Sequence, residues 1–129
     1  MIISAIGMPL LSQFVIASCF VALCVVIHAL GLTIAFRWMR RRAMPALGRF
    51  WPAVSLLIGT VGWSILLHLF EIGIWGFLYV WKGALPDLQT ALYFSAVTYT
   101  TTGYGDIVLP EDWRLIGGVE ALTGILMCG

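Results

Sequence analysis

Residues 100–106 read Thr-Thr-Thr-Gly-Tyr-Gly-Asp, in a chain that is 61% hydrophobic and only 10% charged. The run makes a poor membrane-spanning helix, because glycine weakens helices and backbone groups in lipid must be hydrogen-bonded. Irregular backbone at membrane depth survives only where protein shields it or where it lines a watery path. The segment therefore reads as the working part of a pore. The competing reading is a Gly-rich turn between two helices. That would explain Gly103 and Gly105 but not the threonines and the tyrosine beside them.

The elements that position this segment are set by composition. A soluble domain carries about 25% charged residues, far more than this chain, so an all-α membrane protein is expected. The 129 residues suffice for one compact unit. Five of the seven basic residues (Arg37, Arg40, Arg41, Arg42 and Arg49) fall in one stretch without an acid. The positive-inside rule puts residues 37–51 in the cytoplasm and the N-terminus outside. Clustering at a helix end, with no repeat through the membrane, separates these arginines from a voltage sensor and suits lipid headgroups. No folded basic face accompanies them, so no nucleic-acid partner is expected. The three cysteines, Cys19, Cys24 and Cys128, lie in apolar segments without framework spacing and read as small buried hydrophobes. The N-terminus lacks a basic start and a cleavage site, so the first segment is expected to remain in the mature chain.

The first unit, residues 1–36, reads as a transmembrane helix whose apolar run extends from about Pro9 to Phe36. It is stopped by the basic linker of residues 37–51. A second spanning helix covers residues 52–81, with Pro52 in its first turn and Trp75, Tyr79 and Trp81 as an aromatic belt. Asp87 is placed to cap a short helix over residues 88–100. At about 18 Å this helix is too short to cross, so it re-enters the membrane and stops midway. The last helix covers residues 113–129, about 26 Å, slightly short of a full crossing. With no basic stop at its inner end, the chain is expected to be cut off within that helix.

The order of helix, half-helix, Thr-Thr-Gly-Tyr-Gly-Asp and helix resembles the pore domain of tetrameric potassium channels, of the bacterial two-transmembrane, pore-loop type. The resemblance covers about residues 52–129. Thr101, Thr102, Gly103, Tyr104 and Gly105 resemble the signature filter of that family, in which carbonyl oxygens replace an ion's hydration shell. It implies K⁺ held at Thr101, Thr102, Gly103 and Tyr104, and a ring completed by four chains in a homotetramer. It also implies that Tyr93 and Phe94 cuff the filter and that Asp106 is the acid outside it. Val97 stands where some bacterial members carry a glutamate, so we expect the Tyr93 hydroxyl to reach Asp106 instead. Thr102 stands where valine or isoleucine is usual. Gly124 falls at the position of a hinge glycine, while Gly117, Gly118 and Gly129 suit close helix packing.

Ionisable groups inside the membrane segments are functional candidates. His68 and Glu71, three apart on one helix, form too small a set for a metal, since no second such pair is found. They are expected to pack against the pore helix or to reach Glu120. Glu120 either faces the cavity or pairs behind the filter, and His28 is expected to be a satisfied interior histidine. The function implied is passive, selective K⁺ conduction without enzymatic activity, and without a cofactor beyond the permeant ions. The rivals are a weakly selective cation channel, a subunit of a potassium uptake transporter, and a non-conducting membrane scaffold.

Overall fold

A computed structural model describes residues 9–46 and 48–128. Residues 1–8 of the expected first unit, residue 47 of the expected linker and Gly129 of the expected last helix lie outside the described residues. All regular structure among the described residues is helical. Helix α1 covers Leu10–Ala46, α2 Phe50–Trp81 and α3 Leu88–Tyr99, and a 3-10 turn, Glu111–Trp113, leads into α4, Arg114–Cys128.

Two of these helices, α1 and α2, are long and apolar enough to cross a membrane. Their outward positions carry large apolar side chains such as Leu11, Val26, Leu57, Leu66 and Phe70. Hydrocarbon tails are as apolar as leucine, so such faces need no polar cover in a bilayer. The protein is an all-α membrane protein.

Helix α1 runs ten residues past the end expected at Phe36, through the arginines to Ala46. Arginine is a good helix former, so a charged run ends burial in hydrocarbon without ending the helix. The Arg42 guanidinium lies over the Trp38 ring, 5.1 Å from its centroid. Gly48, with φ of 77°, turns the chain back toward α2. Pro52 then sits in the first turn of α2, where its missing N–H leaves no gap.

The four helices pack as one unit: α2 lies against α1 and α3, and α4 lies against α1 and α3. Large side chains meet small ones along α1 and α2. The Trp63 indole donates to the Gly31 carbonyl at 3.0 Å, and the Trp38 ring covers Gly59. Trp75, Leu78, Tyr79, Ala91, Tyr99 and Ile116 form the centre of the core. Gly76 lets the α3 backbone at Ala91 approach α2 closely. The half-helix is thus clamped between two longer ones, and its last residue delivers the chain to Thr101.

Candidate functional site

Helix α3 starts where the sequence places its cap. The Asp87 carboxylate accepts from the Thr90 N–H at 2.9 Å and from the Thr90 hydroxyl at 2.7 Å. Those two bonds, the backbone one first, hold the Asp87 carboxyl below its ordinary value. At the other end α3 stops at Tyr99 and the chain changes hand. Thr101 has φ of 59°, Gly103 of 56° and Gly105 of 76°, whereas Thr102 and Tyr104 between them do not adopt positive φ. Positive φ is ordinary for glycine, but for β-branched Thr101 it is strained backbone held by its surroundings.

Alternation of this kind sorts the backbone groups. The Thr101 N–H turns back onto the Thr98 carbonyl at 2.9 Å, and the Gly103 N–H onto the Val97 carbonyl at 3.2 Å. Among the described residues, no hydrogen bond reaches a carbonyl oxygen of residues 101–105. The Thr102 hydroxyl lies 3.0 Å from that of Thr100, which in turn donates to the Ala96 carbonyl at 2.7 Å. The segment therefore presents free oxygens and uses the Thr101 and Gly103 N–H groups and the Thr102 hydroxyl for its own support.

The Tyr93 hydroxyl donates to Asp106 Oδ2 at 2.7 Å, the contact anticipated from the absence of a glutamate at Val97. Behind the segment is a cavity of about 130 Å³ lined by Tyr93, Phe94, Val97, Gly103 and Asp106, among others. Phe94 also packs edge-on against Tyr79, with ring centroids 5.4 Å apart. Gly124, anticipated as a hinge, sits in the middle of α4, where a Cβ would collide with the Tyr99 carbonyl. Gly117 likewise abuts Leu109 and Phe94, while a Cβ at Gly118 would meet nothing within 4 Å. Close packing therefore explains Gly117 and Gly124 but not Gly118.

Of the intramembrane polar residues, Glu71 and Glu120 are both fully buried, yet they do not meet. Glu120 pairs behind α3: it accepts from the Tyr79 hydroxyl at 2.6 Å and from the Ser95 hydroxyl. Ser95 also reaches the Ile72 carbonyl at 2.9 Å. Glu71 accepts from the Tyr99 hydroxyl and pairs with both His68 and His28. His68 and Glu71 thus pack against α3, as expected, but reach Tyr99 rather than Glu120. His28 is satisfied by Glu71 across the α1–α2 interface. Tyr79, Ser95 and Tyr99 carry these links, and no local sequence pattern marks them as partners of buried acids.

A protein family described as "Ion channel" matches residues 64–129, just over half of the chain. The chain belongs to this ion channel family. The match takes in most of α2, all of α3, the 101–106 segment and α4, so Glu71, Tyr93, Asp106 and Glu120 fall within it. Helix α1 and His28 precede it. Over 76 residues, 57% of its length, the chain is 38% identical to TWiK family of potassium channels protein 18 of Caenorhabditis elegans. That stretch is 14% of the worm protein. No solved structure matches the chain.

Proposed function

We propose that the protein is a potassium-selective channel subunit in which Thr101, Thr102, Gly103, Tyr104 and Gly105 supply one quarter of an ion filter. The observation that carries this reading is the alternation of positive φ at Thr101, Gly103 and Gly105, with the carbonyls of 101–105 free of protein donors. Stripping water from a potassium ion requires closely spaced oxygens to replace its hydration shell. A row of unengaged carbonyls offers such oxygens, and Thr101 adds a hydroxyl at the inner end. Helix α3 aims its C-terminal, partly negative end at the same region, which favours a cation there.

One chain gives one row of oxygens, so a closed ring calls for a cyclic assembly of four copies. Tyr104 is 71% exposed in the single chain, in keeping with a face that neighbouring copies cover. Tyr93 and Asp106 brace the outer end through their hydrogen bond, and Phe94 backs the segment from the side of Tyr79. The hydroxyl of Thr102 is engaged by Thr100 rather than left free, which favours a supporting role close to that of the valine or isoleucine usual there. In the membrane, the arginines of residues 37–49 lie on the cytoplasmic side against lipid headgroups, and the N-terminus lies outside.

Flux from liposomes carrying the full chain tests the reading. Potassium flux that barium blocks, with no matching sodium flux, is the expected result. Equal sodium flux would replace it with a weakly selective cation channel, and no flux at all would favour a scaffold.

A further inference from the structure

Away from the 101–106 segment, the strongest cluster of ligating side chains lies behind the end of α3, where all four helices contribute. His28 comes from α1, His68 and Glu71 from α2, Tyr99 from α3 and Cys128 from α4. His28 Nδ1 is 3.0 Å from Glu71 Oε1, and His68 Nδ1 is 3.4 Å from Glu71 Oε2. The donor atoms of His28, His68 and Glu71 all lie within 4.8 Å of one another. Cys128 Sγ is 4.0 Å from His68 Nδ1.

We propose that His28, His68 and Glu71, with Cys128 as the fourth ligand, form a tetrahedral site for a zinc-class divalent metal ion. The sequence alone argued against a metal because His68 and Glu71 had no second pair; the fold supplies His28 from 43 residues away. Zinc–nitrogen and zinc–oxygen bonds of about 2.0–2.1 Å place neighbouring tetrahedral ligands about 3.3 Å apart. His68 Nδ1 stands 3.4 Å from Glu71 Oε2, close to that value, so one edge of the tetrahedron exists before any ion arrives, and His28 Nδ1 stands 3.0 Å from the other oxygen of the same carboxylate. Cys128 Sγ, 4.0 Å from His68 Nδ1 and outside the 4.8 Å cluster of the other three, has to move inward to take the fourth corner. Nitrogen, sulfur and a single carboxylate are the donors such ions prefer, whereas calcium and magnesium require shells made mostly of oxygen. Tyr99, donating to the carboxylate, is the outer partner that orients it. A buried carboxylate at membrane depth also needs positive charge beside it, which a divalent ion supplies. The ion would fasten α1, which precedes the family match, to α2 and α4 at the level where α3 ends.

Cobalt(II) titrated into the purified full chain in detergent reads the site without any flux measurement, so its outcome is independent of the proposed conduction. The expected result is the intense visible absorption of tetrahedral cobalt, saturating at one ion per chain and lost on adding zinc. A thiolate-to-cobalt band should accompany it and disappear in Cys128→Ser, which alters an exposed side chain and leaves the visible bands in place. His28→Ala and His68→Ala, each checked for helix content and dispersity, should weaken cobalt binding by more than the roughly 10- to 100-fold seen for outer-shell changes. Absence of tetrahedral bands in the wild-type chain at saturating cobalt would overturn the proposal, leaving a purely hydrogen-bonded network. So would bands that persist unchanged in the folded double variant His28→Ala/His68→Ala.

Discussion

At the scale of single residues, the backbone of Thr101, Gly103 and Gly105 carries the account. A Cβ at Gly103 would meet nothing within 4 Å in its own chain, so within that chain Gly103→Ala changes the dihedral preference without a clash. Holding alanine at φ of 56° costs about 1–2 kcal/mol, enough to shift the segment to another conformation. Potassium flux from liposomes should fall sharply while circular dichroism shows the helices intact; unchanged flux would detach function from this backbone. Tyr93→Phe removes the bond to Asp106 and should lower flux or speed its decline during recording. The Tyr93–Asp106 contact was anticipated from the family resemblance, which leaves Asp106 without a glutamate at Val97 and offers the Tyr93 hydroxyl in its place. The positive φ of Thr101 was not. Nothing about a threonine between threonines announces a left-handed backbone; the end of α3 imposes it through the Thr98 and Val97 carbonyls.

At the scale of helices, the placement of α3 decides where the segment lies. Gly124 lets α4 cross against the Tyr99 carbonyl, and that carbonyl belongs to the clamped end of α3 and cannot swing aside as a side chain could. Gly124→Ala should therefore destabilise the fold by about 1–3 kcal/mol or more, read as a lower midpoint in thermal unfolding in detergent. At the other end, Asp87 contributes to α3 through its charged form. Its carboxyl is held below the ordinary value, so its contribution is complete above that ordinary value and is lost as pH falls through the lowered one. Unfolding midpoints should drop with acidification in the wild type, and Asp87→Ala should show a smaller drop over the same window. The number, order and approximate ends of the helices were readable from apolar runs, Asp87 and Pro52, but of the expected aromatic belt only Trp81 is exposed, while Trp75 and Tyr79 are buried in the core. The end of α1 was misjudged because charge marks the limit of the hydrocarbon and not of the helix. The partners of Glu71 and Glu120 were hidden for a different reason. Helical spacing places His68 beside Glu71, but no local pattern brings in His28, or sends Glu120 to Tyr79, 41 residues away.

At the scale of the whole molecule, the chain joins an ion channel unit, residues 64–129, to a helix that precedes the family match. The two are not loosely tethered. Helix α1 packs on both α2 and α4 and shares the His28–Glu71 contact, so it is built into the unit. The outward faces of α1 and α2 suit lipid, while the free carbonyls and exposed Tyr104 suit the proposed ring closed by further copies. The proposed function requires that the ring hold potassium in preference to sodium. The reversal potential of the full chain in a planar bilayer, with potassium on one side and sodium on the other, tests it most directly. A potassium-selective filter gives a large displacement from zero, of the sign that marks potassium as the permeant ion. A reversal potential at zero, with current flowing in both directions, would contradict it.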